Sequence, residues 1–398
     1  MRSTLSPAFT GSKMRQMFDF VVTVSRQTAD SLKHQIQQGV SKEVEFKDLA
    51  MKFTVDNIAS CAFGIEVNSF RDPGNSFHTI AKKFSESGTF KILLKFSGYL
   101  LAPSLMKFFK IKFFDESVNK FFQKAILDTI KVREEKGIIR HDMINLLIQA
   151  KKGNLTHESG DEKIVDGFAT VQELQTGKAG VKRKWNDEDL AAQCFIFFLA
   201  GFDTVATAMT FMAYELAINP DVQQNLYEEI VETDNLLNGL SVTYDKLQNM
   251  KYMDQVVCEV LRKWPSAPLT DRICIKDYEL EYDGKKILIE KGKNFLIPIW
   301  AIHNDPNYFP DPSKFDPERF SDENKRSIRE YTYLPFGTGP RNCIGSRFAL
   351  MEIKTIFYYL LLQFKVSVTS KTQIPLQLKK VPVALKTEKG VWVELQPR

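Results

Sequence analysis

The sequence predicts one mainly helical domain of the α+β class, with small β-sheets toward its C-terminal end. Apolar residues recur at helical spacing through most of the first 270 residues, as amphipathic helices require. Residues 271–298 instead alternate in period two around Asp283–Gly284, which is typical of hairpin strands. No internal repeat divides the 398 residues, so we expect a single domain over 1–398.

Composition narrows the class of protein. Hydrophobic residues at 43% and charged residues at 26% are typical of a globular chain. Thirty-one phenylalanines indicate a wide apolar interior or an apolar pocket. The net charge of +5 is small, and no basic tract is interleaved with aromatic residues, which argues against nucleic-acid binding. The scattered, odd set of cysteines argues against a disulfide framework and a zinc site, and favours a reducing compartment: Cys61, Cys194, Cys258, Cys274 and Cys343.

The elements are predicted as follows. Helices are expected at 14–38, 45–66, 74–88, 118–137, 141–152, 220–233, 243–263 and 346–365, with a Phe- and Lys-rich helical stretch at 90–125 and a strand-like tail at 366–398. The polar, Gly-containing segment 153–187 is predicted to be an exposed connector. The longest apolar helix follows it, from Leu190 to Ile218, with an Asn186–Asp187 cap at its start and Asn219–Pro220 at its end.

The stretch "FGTGPRNCIGSRFA" contains the most unusual cysteine, Cys343. Gly337, Gly339 and Gly345 would let the backbone approach a flat ligand and adopt conformations that other residues rarely reach. A helix that begins just after Cys343 would direct its amides at the sulfur and stabilise a thiolate, the form that ligates metals. Arg341 adds a cation that can pair with a carboxylate. The residues alone leave a buried structural cysteine as an equal alternative.

The pattern Phe336-x-x-Gly339-x-Arg341-x-Cys343-x-Gly345 resembles the haem-thiolate loop of the cytochromes P450. The resemblance implies that Cys343 is the axial ligand of haem iron and that its thiolate favours O–O cleavage. It also implies that Arg341 binds a haem propionate, and that Phe336 and Gly345 belong to the haem-binding loop. The resemblance covers essentially the whole chain and is similar above all to insect microsomal members that metabolise xenobiotics.

Glu259 and Arg262 lie three residues apart in a predicted helix, so they can pair on one helical face. Alone, such a pair is most often an exposed salt bridge. However, "KWPSAP" follows it, and "FDPERF", which contains Arg319, lies downstream. The resemblance to the P450 family implies that Glu259, Arg262 and Arg319 form a buried structural network that holds the cysteine loop.

The segment "AGFDT" interrupts the long apolar helix with Asp203 and Thr204. A membrane-spanning helix is one interpretation, but an acid near its centre would cost about 3 kcal/mol. A hydrogen bond from Thr204 to the backbone of its own helix is another. The resemblance implies a third, in which Asp203 and Thr204 relay protons to bound oxygen and Gly201 leaves room beside the haem.

Other site residues follow from the resemblance. Arg272, in "TDRIC", and Arg2, in "MRSTLSP", match residues that bind haem propionates, although solvated surface charges are the common fate of arginine. The residues expected to face substrate could equally be ordinary core; they are Ile196, Leu199, Ala200, Ala267, Leu269 and Val383. The Phe/Lys mixture between 90 and 122 is expected to contact a membrane peripherally.

The resemblance implies a haem-thiolate monooxygenase of the unspecific type. It would insert one oxygen atom from O2 into an apolar small molecule, such as an insecticide, a plant toxin or an endogenous lipid. Electrons would come from NADPH through a P450 reductase, with cytochrome b5 as a further candidate partner, and haem b would be the cofactor. The expected location is the cytoplasmic face of the endoplasmic reticulum membrane.

Alternatives remain at this level. A haem-thiolate isomerase or dehydratase would need neither O2 nor a reductase, and Asp203–Thr204 speaks against it. A non-catalytic haem- or ligand-binding product is a second alternative, and a thiol hydrolase using Cys343 a third. Because the anchor, hinge and first strands of the family are not found in this sequence, we expect an N-terminally incomplete chain. Its hairpin region would present open edges, and the 398 residues alone would hold haem poorly.

Overall fold

The computed structural model describes residues 5–36, 41–86, 94–95, 97–98, 102–111, 116–152, 167–170, 185–379 and 384–398. These residues form a mainly helical fold with small antiparallel sheets, as the sequence predicts. The helices, in chain order, are α1 Gly11–Gln35, α2 Phe46–Ile58, α3 Ser76–Glu86, α4 Pro103–Phe108, α5 Glu116–Lys136, α6 Met143–Lys152, α7 Asp187–Ile218, α8 Pro220–Leu236, α9 Tyr244–Gln248, α10 Lys251–Lys263, α11 Ile299–His303 and α12 Ser346–Gln363.

The strands within the described residues pair antiparallel in three small sheets. They are β1 Lys42–Glu45, β2 Thr270–Ile273, β3 Tyr278–Tyr282, β4 Lys285–Ile289, β5 Asn294–Ile297, β6 Phe364–Ser367 and β7 Trp392–Pro397. Strand β7 lies between β1 and β6, with Val44 opposite Val393 and Val366 opposite Leu395. The pairs β2–β5 and β3–β4 are two-stranded, and the latter turns at Asp283–Gly284, where both residues have positive φ.

Helix α7 organises the core. It has 32 residues, a length of about 48 Å, and it packs against α2, α5, α10 and α12. Asn186 accepts a hydrogen bond from the Asp189 amide and Asp189 accepts one from Asn186, which forms a capping box at its start. Among the described residues α7 is also the helix long and apolar enough to cross a membrane, and half of its most apolar window is buried inside the protein.

A cluster of phenylalanines accounts for much of the aromatic content. Phe122 lies 4.5 Å from Phe198, Phe198 lies 5.0 Å from Phe202, and Phe63 lies 5.4 Å from Phe77, measured between ring centroids. All five side chains are buried, and none of them lines the cavity described below. The sequence therefore indicates a wide apolar interior correctly, but many of its rings form core rather than pocket.

Several boundaries differ from the prediction. The helix expected at 243–263 is two helices, α9 and α10, because the chain turns at Asn249 and Met250. The helix expected at 45–66 ends at Ile58, continues as a π turn over Ala59–Phe63 and stops at Gly64, which has φ +65°. Strand β1 was not predicted, since four residues carry little periodicity of their own.

The connector prediction is wrong for part of its length. Gly167, Ala169 and Trp185 are buried, and α7 already begins at Asp187.

The paired strands between residues 270 and 297 carry exposed apolar side chains, with Ile273 60% and Leu296 67% exposed. Each of β2, β3, β4 and β5 has one ladder partner within the described residues, so these strands have open edges, as expected.

Candidate functional site

A cavity of about 360 Å³ lies between α7 and α12, within the range of about 300–1,000 Å³ that is typical of small-molecule and cofactor sites. One wall comes from α7, a second from the loop that precedes α12, and a third from the turn before β2 and from β2 itself. The side chains that line it are mostly apolar, and they include Phe197, Val205, Ala267, Ile299, Phe348 and Ile353. The cavity is thus mostly apolar, with a few polar groups on its wall.

In the loop that contains Cys343, two of the three glycines adopt the backbone conformation that the sequence predicts for them. Gly337 has φ +68° and Gly339 has φ +74°, a left-handed conformation that costs other residues free energy. Gly345 does not share this conformation, with φ −96°; it is the N-cap residue of α12. The Cys343 amide donates to the Phe336 carbonyl at 2.8 Å and closes the loop.

Cys343 lies on the wall of the cavity and is exposed to solvent. Helix α12 begins at Ser346, three residues after Cys343, so this cysteine lies next to the N-terminal end of the helix. The positive end of a helix favours a thiolate there. All five cysteines are described, and none forms a disulfide. Cys343 is therefore placed to ligate a metal held in the cavity.

Two arginines, Arg272 and Arg341, also line the cavity. Arg272 donates from Nη1 to Thr270 Oγ1 at 3.1 Å and to the Asp271 carbonyl at 2.7 Å. Neither guanidinium meets a carboxylate within the part of the chain that is described. Two cations and a thiol around an apolar slot fit haem, which is flat and apolar, carries two carboxylates and needs an axial ligand.

Glu259 and Arg262 form a fully buried ion pair on α10. Arg262 donates from Nε to Glu259 Oε2 at 2.6 Å and from Nη2 to Oε1 at 2.8 Å, and both side chains are 0% exposed. Arg262 Nη1 also donates to the His303 carbonyl at 2.9 Å. Arg319 Nε lies 3.5 Å from Glu259 Oε1, an ion pair but not a hydrogen bond. The structure thus brings the three predicted residues together.

Burial raises the pKa of Glu259, and the hydrogen bond from Arg262 opposes this shift. The Asp316 amide also donates to Glu259 Oε1 at 3.0 Å, so each carboxylate oxygen has a partner. A buried ion pair is tolerated only when its remaining hydrogen-bonding capacity is satisfied in this way. The role of this pair is to fix α10 against the segment around residues 311–319.

His303 connects this pair to the cysteine loop, a link that the sequence pattern does not reveal. The Leu334 amide donates to His303 Nε2 at 2.7 Å, so Nδ1 carries the proton and donates to the Arg262 carbonyl at 3.0 Å. Burial lowers the pKa of His303 to about 4, and the ring is neutral at pH 7. The signal available in the sequence was a lone histidine between the Glu–Arg helix and "FDPERF".

Of the predicted pair Asp203 and Thr204 on α7, only Thr204 lines the cavity. Its hydroxyl donates to the Ala200 carbonyl at 2.6 Å, the intrahelical bond considered above. Asp203 instead faces α2, where it pairs with Lys47 at 2.9 Å. Burial alone would raise the pKa of Asp203, but the charge and hydrogen bond of Lys47 outweigh burial and hold this pKa below its usual value.

Gly201 lines the cavity, but its missing side chain also serves helix packing. A Cβ at Gly201 would lie 2.7 Å from Ile58 Cδ1 on α2. The glycine thus also allows α2 and α7 to approach, in addition to the room beside the haem that the resemblance implies. Ser266 Oγ donates to the Thr204 carbonyl at 2.9 Å, which ties the chain after α10 to α7 at the site.

The predicted pocket residues divide into three groups. Ala200 and Ala267 line the cavity. Ile196, Leu199 and Leu269 do not. Ile196 is 53% exposed although its neighbour Phe197 lines the cavity, and Leu199 packs against the core. Val383 and Arg2 lie outside the described residues.

Helices distant in sequence contribute lining residues that were not predicted. Phe9, Met17, Ile58, Cys61 and Met143 all reach the cavity. Each carries an apolar side chain in an apolar pattern, so the sequence gives no sign that it faces a ligand rather than core.

Comparisons with known proteins agree along the whole chain. A family model described as Cytochrome P450 matches residues 1–394. "Probable cytochrome P450 9f2" of Drosophila melanogaster is 46% identical over 398 residues, which cover 100% of this chain and 73% of the relative. "Cytochrome P450 9e2" of Blattella germanica is 44% identical over 411 residues, covering 100% and 74%. "Cytochrome P450 6k1" of the same species is 38% identical over 395 residues, covering 98% and 72%.

Proposed function

This chain belongs to the cytochrome P450 family and is an oxidoreductase of the monooxygenase class, and we propose that it oxidises an apolar small molecule with electrons from NADPH. One atom of O2 would enter the substrate, and the other would leave as water. The observation that supports this most directly is the cavity in which Cys343 lies with Arg272 and Arg341 around an apolar slot.

The residues of the chain would hold haem b by three contacts. Cys343 would supply a thiolate to the iron, and Arg272 and Arg341 would pair with the propionates. Phe336 and Gly345 would form the surface of the loop against the macrocycle. The bound haem supplies the redox chemistry that side chains lack. Arg2 belongs to the same proposal by resemblance, although it lies outside the described residues.

We assign proton handling to α7. Thr204 Oγ1 holds a proton at the cavity wall, one residue from the Asp203 carboxylate. The Asp203 side chain is 28% exposed and is paired with Lys47, so it stays ionised and in contact with solvent. In the proposed relay, the Thr204 hydroxyl would pass its proton into the cavity and take up another that enters from solvent on the Asp203 side of the helix. The apolar residues around Thr204 would limit access of water and thereby restrict side reactions.

The chemistry of the lining sets the class of substrate. Phe197, Val205, Ala267 and Ile299 offer apolar contact and few fixed hydrogen bonds. Such a wall selects by shape and hydrophobicity rather than by charge. We therefore propose an apolar xenobiotic, such as an insecticide or plant toxin, or an endogenous lipid.

We further propose that the protein works on the cytoplasmic face of the endoplasmic reticulum, with P450 reductase and cytochrome b5 as electron donors. The α4 region supports a peripheral membrane contact, because Leu105, Phe108 and Phe109 are 58%, 78% and 66% exposed. Lys107 and Lys110 alternate with these apolar side chains, as in segments that lie at a bilayer surface. The rest of the expected 90–122 contact is described only in part.

The test is turnover of an apolar probe by the full-length, haem-loaded protein with reductase, NADPH and O2. Cys343→Ser should abolish both turnover and the reduced carbon-monoxide band near 450 nm that thiolate ligation produces. Thr204→Val should lower product formation by about 10²-fold, the typical contribution of a positioned proton donor. Thr210→Val is the matched control, because its hydroxyl also donates to the carbonyl four residues earlier but does not line the cavity.

Two outcomes would contradict the proposal. Product formation without NADPH or O2 would indicate an isomerase or dehydratase. Haem binding with no turnover of any apolar probe, although reductase reduces the iron, would indicate a binding protein.

A further inference from the structure

Four residues from the middle of the 153–187 connector lie against the protein next to the cysteine loop. Gly167 and Ala169 are buried, and Phe168 is 37% exposed. The Phe168 amide donates to Asp254 Oδ2 at 2.9 Å on α10, and the Thr170 amide donates to the Gly167 carbonyl at 2.8 Å. We call these residues, Gly167–Thr170, the strap. A polar connector has no need of such contacts, so their presence requires an explanation.

The ring of Phe168 completes a column of three stacked rings. Phe168 and Tyr333 lie 5.6 Å apart with an interplanar angle of 26°, and Tyr333 and His303 lie 5.6 Å apart with an angle of 22°. Tyr333 also donates to the Cys258 carbonyl at 3.0 Å. The column ends on the histidine that receives the Leu334 amide. The strap therefore touches the residue that leads directly into the cysteine loop.

The strap also contacts an ion pair that joins α10 to α12, the helix that follows the cysteine loop. Lys354 on α12 is 0% exposed and pairs with Asp254 at 2.8 Å. A Cβ at Gly167 would lie 2.2 Å from Asp254 Oδ1 and 3.3 Å from Lys354 Nζ. Only glycine fits this place without moving the pair. Since α12 begins just after Cys343, the strap contacts elements on both sides of the loop.

We propose that the strap positions the haem-ligating loop, and that Phe168 and Gly167 are positioning residues for the oxygenase reaction. The strap holds Tyr333 and His303 together and thereby keeps the Leu334 amide on His303. It covers the Asp254–Lys354 pair and thereby keeps α12 on α10. Both effects limit the motion of Cys343 relative to the cavity. The inference rests on Cys343 as the iron ligand, which is part of the proposed function.

The test compares strap variants of the full-length, haem-loaded protein. Phe168→Ala removes one ring of the column, and Gly167→Ala displaces the strap from the ion pair. Hydrogen exchange at the Leu334 and Cys343 amides should become roughly tenfold faster in both variants, as the loss of an aromatic pair permits. The band near 450 nm should also convert faster to the shorter-wavelength form that lacks a thiolate. Phe168→Tyr keeps the ring and should restore both measurements.

A side-chain truncation far from the strap, Leu240→Ala, controls for a general loss of apolar contact. Leu240 is 75% exposed and lies after α8, so Leu240→Ala should change neither amide nor band. If Phe168→Ala does not fold, the milder Phe168→Leu is measured in its place. Unchanged exchange at both amides in Phe168→Leu and Gly167→Ala would overturn the strap proposal. A protein whose unmodified form lacks the 450 nm band would instead contradict the ligand assignment of Cys343, so the two failures are distinguishable.

Discussion

Two sets of polar residues near the cysteine loop differ in where they find their partners. The support network, Glu259, Arg262, Arg319 and His303, finds its partners inside the chain. The cavity rim, Arg272 and Arg341, has no carboxylate partner within the described residues. The network is held by its own contacts, whereas the rim keeps two cations without a counter-charge among the described residues.

Burial explains the difference. Glu259 and Arg262 are 0% exposed, and a buried charge without a partner costs several kcal/mol. Arg272 is only half-buried and Arg341 is exposed, so water solvates both until an anionic group arrives. This comparison predicts that variants of the network destabilise the protein with or without haem. Variants of the rim should weaken haem binding alone.

The largest effect is expected from Glu259→Gln. The change leaves the Arg262 guanidinium buried without a counter-charge, which should lower the free energy of unfolding by about 3–5 kcal/mol. Urea denaturation of the haem-free and haem-loaded forms measures this loss, which should be similar in both. Asp322→Asn is the control, since Asp322 and Lys251 form an exposed pair, and it should change little. A loss of unfolding free energy confined to the haem-loaded form would contradict the assignment of Glu259 to the support network.

The next effect concerns pH and His303. Its pKa falls from 6.5 to about 4 in the folded protein, so the unfolded chain takes up a proton that the native state resists. Stability is fully present above pH 6.5 and is lost as pH falls toward 4, by about 3 kcal/mol in total. His303→Gln should flatten the unfolding free energy over this interval. Parallel profiles for the two proteins would show that His303 carries no such linkage.

Removal of one rim cation should have a smaller effect. Arg341→Leu and Arg272→Leu should each weaken haem binding by about 1.5–3 kcal/mol, the contribution of a hydrogen bond to a charged group. Haem transfer to apomyoglobin measures the dissociation. The unfolding free energy of the haem-free protein should stay close to that of the unmodified chain. Strong destabilisation of the haem-free form would place these arginines in the support network instead.

The smallest expected effect is the difference in stability cost between alanine substitutions at two glycines of the loop. Gly339→Ala forces a side chain into φ +74° and should cost about 1–2 kcal/mol. Gly345→Ala places its Cβ 3.8 Å from Phe9 Cε1, an ordinary contact, and should cost less in the haem-free protein. Thermal unfolding of both variants without haem makes the comparison. Equal losses would show that the loop relaxes around either alanine.

The sequence predicted the parts that depend on neighbouring residues. Helical periodicity and the Asn186 cap located α7, and Asp283–Gly284 located the β3–β4 turn. Short elements and boundaries were less predictable, because β1 exists only through its pairing with β7. In the site, the spacing of Glu259 and Arg262 predicts their pairing, because residues three positions apart lie on the same face of a helix.

The sequence by itself determined the class of fold, the cysteine motif and the family, because those depend on local patterns and on the order of motifs. Only the tertiary structure decided that Asp203 faces Lys47 while Thr204 faces the cavity. It alone showed that His303 joins the ion pair to the loop, and that Phe168 lies on Tyr333. These contacts join residues from 31 to 165 positions apart, and such contacts arise from packing and burial, which no local pattern encodes.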